Sequence, residues 1–391
     1  MSTDDDAARL PAEQQARVLI ESQLANAGWV VQDKKNLNLF AGPGIAVREV
    51  VMKPGHGRVD YLLYVDKAVV GVIEAKPVGT PLSGVEWQSA MYADGLPADV
   101  RLAAKTLDGR LPFVFEASGV ETHFTNGFDP NPRARLIFNI PRPETLARFL
   151  RDSDADPEQP TWRAKVQSLP PLVATSLRPA QIEAISGVEH SLAAQQFDRS
   201  LVQMATGAGK TYTAVTQSYR LLKHGGFNRI LFLVDRNNLA DQTLGEFQNY
   251  RTPDDGRRFT ELYNVAKLSS AGLLGSTKVV ISTIQRVHRF IKAGEVNDED
   301  DSGLDDFVPD EPITVTYSEH LPPETFDLVI VDEAHRSIYG VWRGVLEYFD
   351  SHVVGLTATP GKQTFAFFRQ NLVSDYTYPE SVADGVNVDF E

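Results

Sequence analysis

The segment from Met204 to Thr211 has residue types and spacing that suit the binding of a phosphate chain. It reads Met-Ala-Thr-Gly-Ala-Gly-Lys-Thr, after an apolar run that predicts a strand and before a run with helical spacing. Glycines let backbone N–H groups converge on phosphates, Lys210 reaches the outer phosphates, and Thr211 binds Mg²⁺. The backbone predicted to surround the phosphates is that of Thr206, Gly207, Ala208 and Gly209. An ATP-binding loop is expected, although the usual pattern has glycine at Met204.

Two acids follow a second apolar run downstream of this loop. Residues 326–331 read Phe-Asp-Leu-Val-Ile-Val, which predicts a buried strand, and Asp332 and Glu333 come next. A carboxylate at the end of a neighbouring strand can hold the Mg²⁺ of a bound nucleotide, and the next can deprotonate the attacking water. We therefore expect Asp332 to be a metal ligand and Glu333 the base for ATP hydrolysis.

The N-terminal half contains a second group of residues whose types and spacing could do chemistry. Asp60 precedes Glu74 and Lys76, which are two residues apart and so share one face of a strand. A hairpin turning around Lys67 places Asp60 opposite Glu74. Paired acids repel unless a cation joins them, and carboxylates together with the Ala75 carbonyl suit Mg²⁺. Spacing alone leaves an ordinary surface salt bridge open as the alternative.

Composition limits the class of protein. The 391 residues include no cysteine, which excludes disulfides and cysteine-ligated metal sites. The start Met-Ser-Thr-Asp-Asp-Asp is not basic, and apolar runs are only strand-sized, so a cytoplasmic protein without a membrane span is expected. The net charge of −14 is concentrated in part between Asp298 and Glu311, where eight acids predict a solvated loop. The global charge therefore says little about any DNA-binding groove.

The elements that must position these residues divide into two halves around a proline-rich stretch. Residues 151–176 contain four prolines and predict a linker between domains 1–150 and 177–391. The first half has an amphipathic helix, Glu13 to Ala27, and then short β-rich runs, which predict a mixed sheet flanked by helices. These runs are 47–52, 58–65, 69–76, 111–116 and 135–140. The second half alternates apolar strands with helices, which predicts an α/β domain with a parallel sheet covered on both faces. Its predicted strands are 200–204, 230–234, 279–282, 328–331 and 353–356.

The C-terminal half resembles superfamily 2 helicases and translocases. Residues 177–181 resemble the adenine motif, which implies nucleotide contacts by Arg178 and Gln181. Residues 332–335 are its DEAH box, ending in His335. The resemblance implies DNA-backbone or coupling roles for Arg236, Thr283, Gln285, Thr357 and Thr359. It also implies a RecA-like domain that uses ATP and Mg²⁺.

The N-terminal half resembles PD-(D/E)xK nucleases, and Asp60, Glu74 and Lys76 stand at the matching places of that pattern. It departs from the pattern at the position before the first acid, where Val59 replaces proline. The resemblance implies Mg²⁺-dependent cleavage in which Lys76 assists the attacking water. Gln88 and Tyr92 match the Gln-x-x-x-Tyr helix of the RecB-like branch. Glu21 on the first helix is a further candidate metal ligand, with a solvent-facing helix residue as the alternative.

A nuclease placed before a DEAH motor resembles the restriction subunit of type I restriction-modification enzymes. That family implies ATP-driven translocation on unmodified double-stranded DNA, distant cleavage, and partnership with modification and specificity subunits. Two alternatives stay open: a helicase whose N-terminal half only binds DNA, and a stand-alone or type III-like nuclease-translocase. Superfamily 2 motors need a second RecA-like domain. Only Gly361 to Glu391 follow the motif that contains Thr357 and Thr359, which is too short for such a domain, so we expect a fragment of a longer subunit.

Overall fold

The chain divides into two compact units, Met1–Thr161 and Trp162–Glu391. The computed structural model describes residues 11–80, 94–194, 197–269, 272–273, 275–294, 313–337 and 342–388. The division lies inside the predicted linker 151–176. Helical structure continues beyond position 150 to Ala155, because no proline interrupts the sequence between Glu144 and Asp156.

The first unit is built on a seven-stranded mixed sheet whose strands follow the order of the chain. Its strands are β1 (Val30–Asp33), β2 (Gly44–Val51), β3 (Arg58–Val65), β4 (Ala68–Ala75), β5 (Phe113–Ala117), β6 (Thr122–Asn126) and β7 (Arg135–Ile137). Its described α-helices are α1 (Ala12–Asn26), α2 (Ala98–Arg101) and α3 (Pro143–Ala155). The pairs β1–β2 and β4–β5 are parallel, and the other neighbouring pairs are antiparallel.

The helix predicted from Glu13 to Ala27 is confirmed as α1. Its buried residues are Ala16, Ile20 and Leu24, spaced by four so that they form one stripe along the helix. The mixed sheet is also confirmed, but β1 and β6 were not predicted. β6 reads Thr-His-Phe-Thr-Asn, and its polar composition hides a strand in which four of five residues are buried.

The hairpin of β3 and β4 has the predicted register at the end that carries the candidate residues. Tyr61 lies opposite Ile73, which makes Asp60 and Glu74 the next residues beyond that pair. The register shifts by one residue between Leu63 and Tyr64. The turn itself is Asp66-Lys67, and both residues have positive φ, 46° and 70°, as a two-residue type I′ turn requires.

The second unit has a seven-stranded parallel sheet in the order β10-β11-β9-β12-β13-β8-β14. Its strands are β8 (Arg199–Met204), β9 (Ile230–Val234), β10 (Asn264–Lys267), β11 (Thr277–Thr283), β12 (Leu328–Val331), β13 (His352–Thr357) and β14 (Leu372–Tyr376). Its described α-helices are α4 (Trp162–Lys165), α5 (Pro179–Ala194), α6 (Lys210–Lys223), α7 (Asn237–Asn249), α8 (Phe259–Leu262), α9 (Ile284–Ala293), α10 (Ala334–Ser337), α11 (Arg343–Tyr348), α12 (Lys362–Phe367) and α13 (Tyr378–Ala383).

The five strands predicted from apolar runs are β8, β9, β11, β12 and β13, and they form the interior of this sheet. All of β9 and β12 is buried, as expected of strands covered on both faces. The two edge strands, β10 and β14, were missed because they are short and partly polar. Within the described part of the chain, no helix is long and apolar enough to cross a membrane. The acidic segment from Asp298 to Glu311 lies outside the described residues.

Candidate functional site

The strand order of the second unit brings the predicted nucleotide residues to one edge. β13 lies between β8 and β12, and all three are parallel, so their carboxyl ends meet at the same edge. The predicted phosphate loop follows β8, Thr357 ends β13, and Asp332 follows β12. The tertiary structure thus brings the phosphate loop to two segments that lie more than a hundred residues further along the chain.

The loop after β8 has the backbone conformation that its glycines predict. Gly207 and Gly209 have φ of 80° and 90°, in the left-handed region that side chains disfavour. A Cβ on Gly209 would also lie 2.4 Å from the Nε2 atom of Gln181. Gly209 is the N-cap of the 14-residue helix α6, which begins at Lys210 and Thr211. The N-terminus of α6 therefore faces the place where a phosphate would bind.

Gln181 and Arg178 hold the phosphate loop from one side. The side-chain Oε1 of Gln181 accepts the N–H of Arg178 at 2.9 Å, and its Nε2 donates to the carbonyl of Gly209 at 3.3 Å. Arg178 Nη1 donates to the carbonyl of Gly207 at 3.4 Å. Gln181 is buried. Both residues adjoin the loop, and adenine recognition by Gln181 stays a prediction.

Lys210, Asp332 and Glu333 converge beside this loop. Lys210 Nζ lies 3.2 Å from Glu333 Oε1, so the predicted phosphate-binding cation and the predicted base form an ion pair. Burial, with the adjacent Glu333 charge, raises the pKa of Asp332 to about 6. A buried carboxylate whose charged form is disfavoured has a strong need for a cation. Asp332 and the hydroxyl of Thr211 are hard oxygen donors that suit Mg²⁺.

His335 connects the DEAH box to the strand between the two loops. Its Nδ1 lies 2.8 Å from the hydroxyl of Thr357 and 3.4 Å from Glu333 Oε2. The Thr357 hydroxyl also accepts the N–H of Thr359 at 3.2 Å. Glu333 has φ of 46°, a strained conformation for a residue with a side chain, which its surroundings must hold in place.

The predicted DNA-backbone residues follow β9 and β11 at the same edge. Arg236 is about half exposed and comes two residues after β9. Thr283 is buried, and its hydroxyl caps α9 by accepting the N–H of Arg286 at 3.4 Å. Gln285 is also buried. Because its side chain is exposed, Arg236 is accessible to a ligand, whereas the buried Thr283 holds the start of α9 in place. A DNA-contact role for either residue stays a prediction.

In the first unit, Asp60, Glu74 and Lys76 lie together at the open end of the β3–β4 hairpin. Asp60 Oδ2 accepts the N–H of Ala75 at 2.9 Å, and Lys76 Nζ lies 3.8 Å from Glu74 Oε2. The carboxylate side chains are 14% and 12% exposed, while Lys76 is 31% exposed. The two carboxylates are thus mostly shielded from solvent and Lys76 less so, whereas the acid of an ordinary surface salt bridge would be well exposed.

The donor chemistry of this group suits Mg²⁺, which takes one or two protein carboxylates and keeps several waters. Among the described residues, no group of three or more His, Cys, Asp or Glu side chains is arranged to hold a metal. Glu21 accepts hydrogen bonds from Arg48 at 2.6 and 2.7 Å and from the Tyr61 hydroxyl at 3.1 Å. The Arg48 hydrogen bonds hold the pKa of Glu21 below its usual range. The roles of Asp60, Glu74 and the Ala75 carbonyl as Mg²⁺ ligands stay predictions, and so does that of Glu21, whose carboxylate is already paired with Arg48.

Two residues beside this group were missed from the sequence. Glu116 on β5 is the register partner of Glu74, and only 2% of it is exposed. In the described structure its Oε2 has no hydrogen-bond partner, and burial raises its pKa against the opposing charges of Lys76 and His123. Arg17 on α1 donates to Asp60 Oδ1 at 2.6 Å. An acid inside the apolar run Phe-Val-Phe-Glu-Ala was a usable signal for Glu116, but nothing in the sequence indicated Arg17. Gln88 and Tyr92 lie outside the described residues.

Comparisons with known proteins cover both units. Residues 174–362 match the family model described as "Type III restriction enzyme, res subunit". The EcoKI type I restriction enzyme endonuclease subunit of Escherichia coli (strain K12) is 28% identical over 442 residues, covering 97% of this chain and 35% of that protein. The EcoAI endonuclease subunit of Escherichia coli is 28% identical over 384 residues, covering 94% of this chain and 41% of that protein.

Among solved structures, a nuclease-deletion mutant of the type ISP restriction-modification enzyme LlaGI, in complex with a DNA substrate mimic, is 19% identical. It superposes with a TM-score of 0.36 over 55% of this chain and 21% of that chain. An overlap this low does not assign a fold, and the parallel sheet of the second unit rests on its own strand pairing. In sequence, the chain is similar to type I restriction endonuclease subunits along nearly its whole length, while it spans well under half the length of these relatives.

Proposed function

We propose that this chain provides the motor and nuclease sites of a type I restriction endonuclease subunit. The observation that carries the proposal is that each unit brings together one group of chemically matched residues. The second unit joins Lys210 to Glu333 beside Asp332, and the first joins Glu74 to Lys76 beside Asp60. The similarity to type I endonuclease subunits, which extends over both units, supports the pairing of the two activities.

In the second unit the substrate is ATP. The N–H groups at the start of α6 and the Lys210 ammonium bind the phosphates. Thr211 and Asp332 would hold Mg²⁺, which would neutralise charge on the transferring phosphoryl group. Binding of phosphate draws Lys210 away from Glu333, which frees that carboxylate to accept a proton from the attacking water. His335 and Thr357 keep Glu333 in its strained position.

In the first unit the substrate is a DNA phosphodiester. Asp60 and Glu74 would hold Mg²⁺, which supplies an activated water and offsets the charge that develops on the phosphate. The N–H of Ala75 keeps Asp60 oriented through its hydrogen bond to Oδ2. Lys76 is positioned by Glu74 and offers its ammonium to the attacking water or to a phosphate oxygen.

The partners in this proposal are double-stranded DNA and the modification and specificity subunits of a type I complex in the cytoplasm. Sequence recognition belongs to those subunits, since the contacts of this chain are to the DNA backbone. Its DNA affinity should therefore decrease steeply as salt concentration rises and should depend little on DNA sequence.

The test is cleavage of an unmodified circular plasmid by the subunit that carries this chain, assembled with modification and specificity subunits. We expect cleavage that requires both Mg²⁺ and ATP, and loss of cleavage in Lys76→Ala. Lys105→Ala is the matched control, because Lys105 is an exposed lysine of the same unit. Normal plasmid cleavage by Lys76→Ala would reject the nuclease assignment.

One alternative has an observation in its favour. Because Arg17 pairs with Asp60, the first unit could act as a DNA-binding module whose acids are neutralised by arginine rather than by metal. In that case the assembled complex would hydrolyse ATP but would leave the plasmid intact at every Mg²⁺ concentration. The same plasmid assay separates the two.

A further inference from the structure

Asp235 stands where two loops of the second unit leave the sheet side by side. It is the first residue after β9, and β9 pairs with β12 so that Val331 lies opposite Leu233. The N–H of Asp332 donates to the carbonyl of Leu233 at 2.9 Å. The loop that carries the predicted DNA contact Arg236 therefore begins next to the loop that carries the DEAH box.

The carboxylate of Asp235 is shared between two arginines, Arg236 in the loop after β9 and Arg336 in the short helix α10 after β12. Its Oδ2 lies 2.5 Å from Arg336 Nη1 and 3.7 Å from Arg236 Nε. Asp235 is 16% exposed, while both arginines are about half exposed. Two cations that share one oxygen repel each other, so withdrawal of either one strengthens the pair made by the other.

Arg336 belongs to the short helix that carries the DEAH histidine. Its N–H donates to the carbonyl of Glu333 at 2.8 Å, and His335, the residue between them, contacts Thr357. The strained backbone of Glu333 depends on such neighbours to keep its conformation. A stronger ion pair between Asp235 and Arg336 would therefore help to fix the position of Glu333, the candidate base.

We infer that Asp235 is a positioning residue that couples DNA binding at Arg236 to the geometry of the nucleotide site. A DNA phosphate that binds Arg236 draws this arginine from Asp235, and Oδ2 then holds Arg336 alone. The turn from Glu333 to Arg336 tightens, and Glu333 is fixed where it faces the γ-phosphate. This inference rests on the proposed function, because it needs both ATP and DNA as ligands.

Because the inferred effect is on the candidate base, it should appear in the rate of ATP turnover. The experiment measures ATP turnover at saturating Mg²⁺-ATP, with and without a DNA duplex, by the subunit that carries this chain, assembled with modification and specificity subunits. In the wild-type enzyme we expect DNA to raise the turnover rate by about tenfold or more. In Asp235→Asn the ratio of the two rates should fall to within about twofold of one. Asp235→Glu, which keeps the charge, should restore part of the ratio.

Glu347→Gln is the matched control. Glu347 Oε1 is also shared by two arginines, Arg199 and Arg343, each at 2.9 Å. Arg199 begins β8, however, at the edge of the sheet opposite the phosphate loop. The control variant should keep the wild-type ratio.

The outcomes separate this inference from the function on which it rests. A wild-type ratio in Asp235→Asn, or an equal loss in Glu347→Gln, overturns the coupling role of Asp235 and leaves the motor assignment standing. A wild-type enzyme whose ATP turnover does not respond to DNA also overturns it. A wild-type enzyme that hydrolyses no ATP, with or without DNA, overturns the proposed motor itself, and the coupling role with it.

Discussion

At the scale of single residues, the ion pair between Lys210 and Glu333 ties the predicted phosphate contact to the predicted base. Neutralising Glu333 removes the partner that competes with phosphate for Lys210, whereas removing Lys210 deletes the phosphate contact itself. The two substitutions should therefore separate nucleotide binding from hydrolysis, although the residues lie within hydrogen-bonding distance of each other.

We predict that Glu333→Gln keeps or increases ATP affinity but slows ATP hydrolysis by the assembled enzyme about 100-fold or more, because the general base is gone. Lys210→Ala should weaken ATP binding by about tenfold or more, since a hydrogen bond to a charged group is lost. Binding of a fluorescent ATP analogue and steady-state phosphate release measure the two effects. Glu319→Gln, at an exposed acid of the same unit, should change neither.

At the scale of elements, Gly71 allows the close approach of β4 and β5 that sets Glu74 beside Glu116. Gly71 pairs with Phe113, and a Cβ added at Gly71 would lie 2.3 Å from the Phe113 carbonyl oxygen. A contact of that length forces the strands apart. The same displacement would move Glu74 and Lys76, which are three and five residues further along the chain.

We predict that Gly71→Ala lowers the free energy of unfolding by about 1–3 kcal/mol, the usual range for overpacking, and reduces plasmid cleavage. Gly245→Ala is the matched control, because Gly245 lies in α7 with no atom within 4 Å of an added Cβ. Alanine in an exposed helix should raise stability by up to about 1 kcal/mol. Urea unfolding of both variants gives the comparison, and equal stability of the two would contradict this account of β4 and β5.

A buried histidine at the start of β13 makes the second unit sensitive to acid. His352 contacts Ser200 Oγ at 2.8 Å, and Ser200 donates to Ser191 at 2.9 Å. Burial lowers the pKa of His352 to about 4, while the unfolded chain takes up the proton near pH 6.5. Between these pH values the unfolded state binds more protons than the folded state, so the stability falls as the pH decreases.

We predict that the free energy of unfolding decreases between about pH 6.5 and 4, with up to about 3 kcal/mol of the decrease caused by His352. His352→Gln should be less stable at pH 7 but should lose less stability on acidification. His190→Gln, at an exposed histidine of the same unit, should keep the wild-type dependence. Identical pH profiles for all three chains would show that His352 does not carry the effect.

At the scale of the whole molecule, the two candidate sites lie in separate compact units, so damage to one should leave the binding chemistry of the other intact. We predict that Asp60→Ala abolishes plasmid cleavage by the assembled enzyme while its ATP turnover stays within about twofold of wild type, as is usual for distant, independent sites. Asp66→Ala, in the hairpin turn of the same unit, is a control for local damage. A parallel loss of ATP turnover in Asp60→Ala would contradict the independence of the two sites.

The sequence by itself predicted the candidate nucleotide-binding residues of the second unit and determined most of its sheet. Apolar runs identified β8, β9, β11, β12 and β13 because strands buried on both faces have no polar positions to obscure them. The glycines that indicated a phosphate loop adopt the left-handed backbone there, a conformation that few other residues adopt. The predicted register of the β3–β4 hairpin near Asp60 is also confirmed, although the turn is Asp66-Lys67 and the match depends on the one-residue shift between Leu63 and Tyr64.

Only the tertiary structure decided which charges meet. Arg17 on α1 donates a hydrogen bond to Asp60, and the parallel pairing of β4 and β5 sets Glu116 beside Glu74. Asp235 pairs with Arg336, which lies 101 residues further along the chain. Hydrophobic periodicity records which face of an element is buried, but it carries no information about which elements become neighbours. The strand order sets those neighbours, and ion pairs form between groups that the packed backbone has already brought within reach.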